Sequence, residues 1–350
     1  MTSPLVHISG RAIGLGHRPY IVAEMSGNHN GDIQRALALI DAAKAAGADA
    51  VKLQTYTADT ITIDHDGPEF RIEGGLWDGR RLYELYQEAH TPWDWHPQLF
   101  AHAKAIGIHI FSSPFDPTAV TFLEGLQAPA FKIASFELVD IPLIEQCART
   151  GKPLVMSTGL ASKTEIAEAV AAAKGAGHGG VILLHCTSAY PAPMEDMNLR
   201  TLQRLAAEND VVVGLSDHSM GVTASVAAVA LGASFIEKHF TLARADGGVD
   251  SDFSLEPHEL ARLVSECRDA WSALGSESFD ETPSEIVNRD HRRSLYVVHD
   301  VKAGEAITEA NVRSIRPGYG LPPKYLPEVM GRTARRDIAR GTPLDWDLMS

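Results

Sequence analysis

The sequence predicts an α/β protein: a (β/α)8 TIM barrel followed by a small C-terminal domain. An apolar run, a polar or glycine-containing break and a helical stretch follow one another eight times between residues 19 and 275. This repeat spans about 250 residues, which is typical of the barrel. An open doubly wound sheet normally has fewer units, and no Gly-x-Gly-x-x-Gly motif follows the first apolar run.

The predicted strands are rich in β-branched and aromatic residues, as expected of parallel strands buried on both faces. They cover residues 20–26, 48–56, 108–115, 130–137, 153–159, 181–188, 211–219 and 234–241. Alanine-rich amphipathic stretches, such as residues 33–46 and 162–176, predict the helices between them.

Two segments depart from the repeat. Residues 57–92 form an unusually long loop after the second strand, and a loop of this length indicates a lid or an oligomer contact. Residues 276–290 are acidic and poor in apolar side chains, which predicts a linker between a barrel domain (1–275) and a small mixed domain (291–350). A domain of about 60 residues is near the lower limit for a stable core, so we expect it to dock on a barrel.

Composition limits the classes of partner. The 350 residues include 31 basic and 45 acidic side chains, a formal net charge of −14, which argues against non-specific nucleic-acid binding. Cys147, Cys186 and Cys267 lack metal-like spacing and predict reduced thiols. Neither a signal-peptide pattern nor a membrane-spanning run is evident, since the uncharged run 219–236 contains several Gly and Ser residues. We therefore expect a cytoplasmic protein without a membrane partner.

Polar side chains stand at the ends of nearly all predicted strands. In a barrel these ends face the active site, and an unpartnered polar group in a buried strand costs roughly 1–3 kcal/mol. On the fourth strand, Lys132, Ser135 and Glu137 are spaced at a period near two and are expected to face one interior. The other candidates by position are Glu24, Lys52, Gln54, Ser157, Ser216, His218 and His239.

The types of these residues indicate binding of an anion and a metal. Lys52 and Lys132, together with hydroxyls, suit a phosphate or a carboxylate, the alternative being that each lysine forms a structural ion pair. His218 and His239 end adjacent strands, where two imidazoles with open positions can hold a divalent ion. Taken singly, a buried histidine is more often a hydrogen-bonded core residue, and His185 is interpreted in that way.

The remaining candidates leave alternatives open. His29 is interpreted as a core histidine, and Cys186 as a small core residue rather than a nucleophile. Possible acid–base groups are Glu24, Glu137, Asp217 and Glu237. A carboxylate at a strand end can instead neutralise a lysine, and Glu237 with Lys238 is an alternative structural pair.

Several short motifs in the sequence resemble those of the sialic acid synthase family, whose members condense phosphoenolpyruvate with an N-acetylated amino sugar. They lie at residues 23–31, 52–55, 112–115, 131–135, 157–159, 185–191, 214–219 and 236–240. Residues 316–320 resemble the family's antifreeze-like (SAF) domain, which implies a domain-swapped homodimer. The branch that makes pseudaminic acid is matched most closely by residues 74–78, 82–86, 91–96, 250–255 and 293–296. Ser188 departs from the Asn of the N-acetylneuraminate synthases, so their sugar specificity does not transfer directly.

The resemblance implies a reaction: phosphoenolpyruvate, 2,4-diacetamido-2,4,6-trideoxy-L-altropyranose and water give pseudaminic acid and phosphate. C3 of phosphoenolpyruvate would attack the open-chain sugar aldehyde, water would add at C2, and phosphate would leave by C–O cleavage. Mn2+ or Mg2+ on His218 and His239 would polarise the aldehyde.

The resemblance also implies individual roles. Glu137 would be the acid–base group, with Glu24 beside the reacting carbons. Phosphoenolpyruvate would be bound by Lys52, Lys132, Ser135, Ser157 and Ser216. The sugar would be held by Gln54, Tyr190, Asp250 and, from the partner subunit, Arg316.

Three alternative functions are considered. An N-acetylneuraminate or legionaminate synthase would perform the same chemistry on another sugar; we expect the aromatic-rich loop 57–92 to discriminate the 6-deoxy sugar by apolar contact. A non-catalytic carbohydrate-binding barrel would not need a metal site next to acid–base groups. A His-x-His pattern on the first strand would favour a metal-dependent barrel hydrolase, and the sequence has none there.

Overall fold

The computed structural model describes residues 4–350. The chain divides into two compact units, Met1–Gly275 and Ser276–Ser350. Residues 276–290, predicted as a linker, are grouped with the second unit. Within the described residues, no helix is both long enough and apolar enough to cross a membrane.

The first unit is a closed barrel of eight parallel strands, which confirms the predicted fold class. An antiparallel hairpin, β1 (Val6–Ile8) and β2 (Arg11–Ile13), precedes it. The barrel strands are β3 (Tyr20–Glu24), β4 (Ala50–Thr55), β5 (His109–Pro114), β6 (Phe131–Ile133), β7 (Leu154–Ser157), β8 (Val181–Cys186), β9 (Val212–Asp217) and β10 (Phe235–His239). Strand β10 pairs with β3 and closes the barrel, and every strand lies inside its predicted range.

Helices surround the barrel. They are α1 (Ile33–Ala46), α2 (Ala58–Ile61), α3 (Leu82–Ala89), α4 (His96–Ile106), α5 (Pro117–Gly125), α6 (Ile141–Arg149), α7 (Lys163–Ala176), α8 (Thr201–Asn209), α9 (Thr223–Ala230) and α10 (Pro257–Leu274). Local sequence fixes several ends: the Asp32, Asp116 and Ser162 side chains accept hydrogen bonds from the first-turn amides of α1, α5 and α7. The predicted long loop 57–92 is partly helical, because it contains α2 and α3.

Alternation along the strands separates two apolar cores. Residues such as Ile21 and Val51 face the helices, whereas their neighbours Val22 and Ala50 fill the barrel interior. Val6, Ile8 and Ile13 of the hairpin join the interior core, so the hairpin packs against the N-terminal end of the barrel. The polar residues near the strand C-termini therefore lie next to this apolar interior core, on its C-terminal side.

The predicted fourth strand is too long. Strand β6 ends at Ile133, and Ser135–Glu137 form a 3-10 turn, so Ser135 and Glu137 do not alternate with Lys132 on one strand. The turn is required because α6 begins soon afterwards, capped by the Asp140 carboxylate, which accepts from the Leu143 amide at 3.1 Å.

The second unit has its own core and an antiparallel pair, β11 (Ser294–Val297) and β12 (Val312–Ile315). This unit also contains two four-residue helices, α11 (Pro283–Ile286) and α12 (Leu326–Val329), and three short 3-10 helices. Arg316 follows β12 directly.

Candidate active site

Four charged side chains meet inside the barrel, above the apolar core. Lys52 Nζ lies 2.8 Å from Glu24 Oε2 and 3.7 Å from Glu237 Oε1, and Lys132 Nζ lies 3.3 Å from the same Glu237 oxygen. All four are buried, and the two lysines are only 3% and 2% exposed. Each lysine thus forms an ion pair, which was one of the two expected alternatives, and both ion pairs lie in the barrel interior.

Charges within the cluster set its pKa values. Burial raises the pKa of Glu24, against the opposing effect of Lys52. Burial also acts to raise the pKa of Glu237, but Lys132 and Lys52 together hold it below its ordinary value. Burial lowers the pKa of Lys132 despite the nearby Glu237. Two ammonium groups at this depth bind anions more strongly than they would in water, because the local dielectric is low.

Hydroxyl and amide groups border the cluster. Lys52 Nζ donates to Ser113 Oγ at 3.2 Å, and Ser216 Oγ donates to Glu237 Oε1 at 3.4 Å. The Gln54 amide donates to Glu24 Oε1 at 2.9 Å. Among the described residues, Ser157 Oγ is buried with no hydrogen-bond partner, as is Glu237 Oε2. Such atoms are costly unless a ligand or water satisfies them.

His218 and His239 lie side by side, with ring centroids 5.3 Å apart. His218 Nδ1 lies 3.2 Å from the Thr187 carbonyl, which leaves Nε2 available as a ligand atom. His239 Nδ1 is buried and, among the residues described, has no hydrogen-bond partner; its nearest carboxylate is Asp250 Oδ2 at 3.7 Å. Burial, followed by the charge of His218, lowers the pKa of His239 well below its ordinary value, which favours the neutral form that binds metals.

These residues fit a divalent cation held by two imidazoles. In the described part of the chain no three His, Cys, Asp or Glu side chains converge as ligands, so a cation on the two imidazoles would need further ligands from water or substrate. His239 lies two residues beyond Glu237 on β10, about 6 to 7 Å farther along the strand.

Aromatic rings and Asp250 border the histidines. The Tyr190 ring lies 4.4 Å from His218, and the Phe253 ring lies 4.8 Å from His239. Asp250 accepts a short hydrogen bond from Ser26 Oγ, which also accepts from Gln54 at 3.1 Å. Burial raises the pKa of Asp250. The two predicted sugar-binding residues Gln54 and Asp250 are thus linked through Ser26.

Glu137 reaches the site from the 3-10 turn after β6. Its Oε2 atom is buried and, within the described residues, has no hydrogen-bond partner. Burial raises its pKa from 4.5 to about 7. Ser135, on the same turn, accepts from the Gly159 amide at 3.2 Å. A carboxyl with a pKa near neutrality can both hold and release a proton at physiological pH.

Several polar residues at strand ends make structural contacts and do not line the candidate site. Asp217 and Lys238 form a buried ion pair outside the barrel, with an O–N distance of 2.9 Å. His185 Nε2 donates to the Met197 carbonyl at 2.7 Å, as a core histidine would. His29 also contacts core groups and is buried. Cys186 Sγ lies 3.8 Å from His218 Nδ1, so this thiol borders the site, whereas the sequence predicts a core residue.

Three residues of the site, Glu237, Ser26 and Ser113, are not among the binding or catalytic residues predicted from the sequence. Glu237, which bridges both lysines, was weighed only as a possible acid–base group or as a partner of Lys238. Glu237 and His239 are two residues apart on one strand and therefore face the same side, so the sequence alone could have placed Glu237 in the site. Ser26 and Ser113 gave no comparable signal.

A separate cavity of about 650 Å3 lies at the opposite end of the barrel, beside Lys152, Lys174 and Gly179. There Lys174 Nζ donates to the carbonyls of Asn209 and Asp210. Its glycine-rich wall reflects backbone contact, since a Cβ on Gly179 would lie 2.1 Å from the Lys152 carbonyl oxygen. Catalytic chemistry is better supported at the C-terminal mouth.

Fold and site together define a (β/α)8-barrel enzyme with a two-lysine, two-histidine site at its C-terminal mouth. A family model described as NeuB family matches residues 39–279, and one described as SAF domain matches residues 292–348. The chain belongs to the NeuB family. The predicted family resemblance is thereby confirmed.

Individual relatives agree with this assignment. The chain is 46% identical over 325 residues to a pseudaminic acid synthase of Campylobacter jejuni, which covers 93% of this chain and 95% of the relative. It is 43% identical over 330 residues to a pseudaminic acid synthase of Helicobacter pylori, with 94% and 97% covered. The crystal structure of an N-acetylneuraminic acid synthetase from Leptospira borgpetersenii in complex with citrate superposes with a TM-score of 0.73 and 33% identity, covering 82% of this chain and 95% of that chain.

Proposed function

We propose that this protein is a pseudaminic acid synthase. It condenses phosphoenolpyruvate, 2,4-diacetamido-2,4,6-trideoxy-L-altropyranose and water to pseudaminic acid and phosphate. The observation that carries this proposal is the convergence of Lys52 and Lys132 on one carboxylate of β10, two residues from His239. The two lysines would hold the enol phosphate, and the neighbouring histidines would hold the aldehyde oxygen.

Phosphoenolpyruvate occupies the lysine cluster in this proposal. Its phosphate and carboxylate replace Glu24 and Glu237 as partners of Lys52 and Lys132, and the hydroxyls of Ser135, Ser157 and Ser216 donate to its oxygens. Unpartnered Ser157 Oγ supports this arrangement. Charge-assisted hydrogen bonds of this kind contribute about 1.5–3 kcal/mol each.

The sugar lies toward the mouth. Gln54, Tyr190 and Asp250 hold it, with Arg316 of the partner subunit. When bound by His218 and His239, Mn2+ or Mg2+ supplies Lewis-acid polarisation of the open-chain aldehyde. The chain orients the two reactants, and such orientation can contribute roughly 7–11 kcal/mol to catalysis.

Proton transfer falls to Glu137 in this proposal. C3 of phosphoenolpyruvate bonds to the aldehyde carbon, whose oxygen takes the Glu137 proton and becomes a hydroxyl. Water then adds to the cationic C2, and Glu137 recovers a proton from it. The C–O bond to phosphate breaks as C2 becomes a carbonyl, and the remaining proton of the C2 hydroxyl leaves with the phosphate. A pKa of about 7 suits both transfers. Glu24 lies beside the reacting carbons and remains the alternative proton carrier.

We further propose a cytoplasmic homodimer in which the SAF domains exchange between subunits. Free thiols at Cys147, Cys186 and Cys267 support a reducing compartment. Exposed apolar side chains on successive loops at the barrel mouth support a protein contact there. They are Phe136, Val139, Leu160, Met194 and Met220.

The decisive experiment incubates the purified protein with phosphoenolpyruvate and each candidate sugar. Phosphate release and product mass are followed with the 6-deoxy diacetamido sugar, its legionaminate-type stereoisomer and a 2-acetamido hexose that retains its C4 and C6 hydroxyls. We expect the first sugar to react with the highest kcat/KM. A higher value for either competitor would assign the alternative synthase activity.

A further inference from the structure

A small hairpin within the segment 57–92 stands at the barrel mouth. We call residues 71–81 the mouth hairpin. Its ends pair at Arg71 and Arg81, and the Ile72 amide donates to the Arg80 carbonyl at 2.9 Å. Gly74, with φ of 77°, adopts a left-handed conformation that favours glycine at the tip. The tip therefore has a defined conformation.

Trp77 is the residue through which this tip contacts the barrel. Its immediate neighbours Leu76 and Asp78 are exposed, whereas Trp77 is partly buried. Its Nε1 donates to the Val249 carbonyl at 2.8 Å, in the loop that also carries Asp250. The hydrogen bond joins residues 172 positions apart and fixes the orientation of the indole.

The indole continues an aromatic wall that reaches the two histidines. The Trp77 ring lies 5.5 Å from Tyr190, and Tyr190 lies 4.4 Å from His218 and 5.4 Å from Phe253. Phe253 in turn lies 4.8 Å from His239. Tyr190 thus lies between the indole and His218, and Tyr190 and Phe253 connect the indole to His239.

The distances through Tyr190 place the ring centroids of Trp77 and His218 no more than about 10 Å apart. Five C–C bonds of about 1.5 Å give an open-chain hexose a span of roughly 6 Å from C1 to C6. If the C1 oxygen is held at the histidines, an extended sugar is therefore long enough for its C6 end to reach the Trp77 ring. The only hydrogen-bond donor of the indole is already given to Val249, so the remaining indole surface is apolar.

We propose that Trp77 is a specificity-determining residue that contacts the C6 methyl group of the sugar and disfavours a C6 hydroxyl. This inference rests on the proposed function. A C6 hydroxyl placed against the indole would lose water without gaining a partner, whereas a methyl group gains apolar contact. Tyr190 and Phe253 complete the wall around the middle of the sugar.

The test compares two sugars that differ only at C6, as methyl or hydroxymethyl, in wild type and in Trp77→Ala. We expect the wild-type preference for the 6-deoxy sugar, as a ratio of kcat/KM, to fall about 10- to 100-fold in Trp77→Ala. The KM for phosphoenolpyruvate should stay unchanged. An unaltered ratio in Trp77→Ala would overturn the inference.

Two further variants separate recognition from structure. Trp77→Phe removes the hydrogen bond to Val249 but keeps an aromatic ring, so we expect most of the preference for the 6-deoxy sugar to remain. If kcat/KM falls equally for both sugars in the Phe and Ala variants, the role of Trp77 is purely structural and the inference is overturned. Trp77→Gln offers a polar group and should shift the preference toward the hydroxylated sugar. Trp271→Ala is the matched control, because its indole also donates to a backbone carbonyl, that of Leu15, at 3.1 Å.

Binding without turnover gives an independent readout. Titration with the 6-deoxy sugar alone should quench tryptophan emission in wild type and in Trp271→Phe, and much less in Trp77→Phe. If wild type reacts with neither sugar, the proposed function fails. If wild type prefers the 6-deoxy sugar and Trp77→Ala keeps that preference, only the present inference fails.

Discussion

Glu237 and Lys238 are consecutive residues, yet their side chains form ion pairs on opposite faces of the barrel wall. Inside, Glu237 Oε1 lies 3.3 Å from Lys132 Nζ; outside, Lys238 Nζ lies 2.9 Å from Asp217 Oδ2. Alternation along β10 separates the two side chains. The alternative in which Glu237 and Lys238 pair with each other is therefore wrong.

The outer pair should stabilise the barrel. We expect Lys238→Met to lower the free energy of unfolding by about 3–5 kcal/mol, because it leaves the Asp217 carboxylate buried without its cation. Urea unfolding followed by circular dichroism measures this change. The double variant Asp217→Asn, Lys238→Met should recover part of the loss, since no uncompensated charge remains. A Lys238→Met variant as stable as wild type would contradict the prediction.

The two histidines should be needed for metal binding and activity but not for folding. We expect His218→Ala and His239→Ala to remain folded and to lose at least about a hundredfold in metal affinity and in activity. Equilibrium dialysis with Mn2+ and a chelator-free assay measure both quantities. His185→Gln is a matched control, because His185 is also buried but bonds to Met197 outside the site. Full activity in either alanine variant would reject the metal assignment.

The raised pKa of Glu137 predicts a pH dependence of stability. Burial raises the pKa from 4.5 to about 7, so the folded protein holds a proton that the unfolded chain releases. The associated stability is fully present below pH 4.5 and is lost as pH rises to about 7. Over this range the stability of wild type relative to Glu137→Gln should fall by roughly 3 kcal/mol. Denaturant titrations at several pH values measure it, and a constant difference would refute the assigned pKa.

Lysine substitutions should act on phosphoenolpyruvate rather than on the sugar. We expect Lys52→Met and Lys132→Met to raise the KM for phosphoenolpyruvate about 10- to 100-fold, because each removes a charge-assisted hydrogen bond. Steady-state kinetics with each substrate varied in turn test this. Lys238→Met, assayed at low temperature where it is folded, controls for the loss of an equally buried lysine. A comparable rise in sugar KM alone would place the anion elsewhere.

Subunit mixing tests the role proposed for Arg316. Arg316→Ala should raise the sugar KM more than the KM for phosphoenolpyruvate, whereas Arg313→Ala on the preceding strand β12 should change neither. If Arg316 acts across the dimer, mixing Arg316→Ala with inactive His239→Ala subunits assembles one intact site per heterodimer. Activity at low sugar concentration should then exceed that of either variant alone. Absence of this gain in verified heterodimers would exclude the exchange.

The barrel could be predicted because each strand is a short apolar run, as expected where both faces are buried. The end of β6 could not, because Ser135 and Glu137 mimic strand alternation while the cap at Asp140 requires an earlier turn. The hairpin β1–β2 also escaped prediction, since strands of three residues carry too little periodicity to be recognised.

The candidate site was predictable in its residue types but not in its contacts. His218 and His239 could be paired because they end adjacent strands. The contact of Trp77 with Val249 joins distant segments and depends on the conformation of a loop, which local patterns do not encode. Which strand-end carboxylate faces inward depends on register, and this separates Glu237 from Asp217.

The hairpin β1–β2 has a consequence for the order of events in catalysis. Because Val6, Ile8 and Ile13 pack into the apolar core at the lower end of the barrel, we expect both substrates to enter through the upper end. In the proposed reaction, phosphoenolpyruvate lies deepest and the sugar lies nearer the exit. Productive turnover therefore requires the enol phosphate to bind before the sugar, and the sugar product must leave before the next phosphoenolpyruvate can bind.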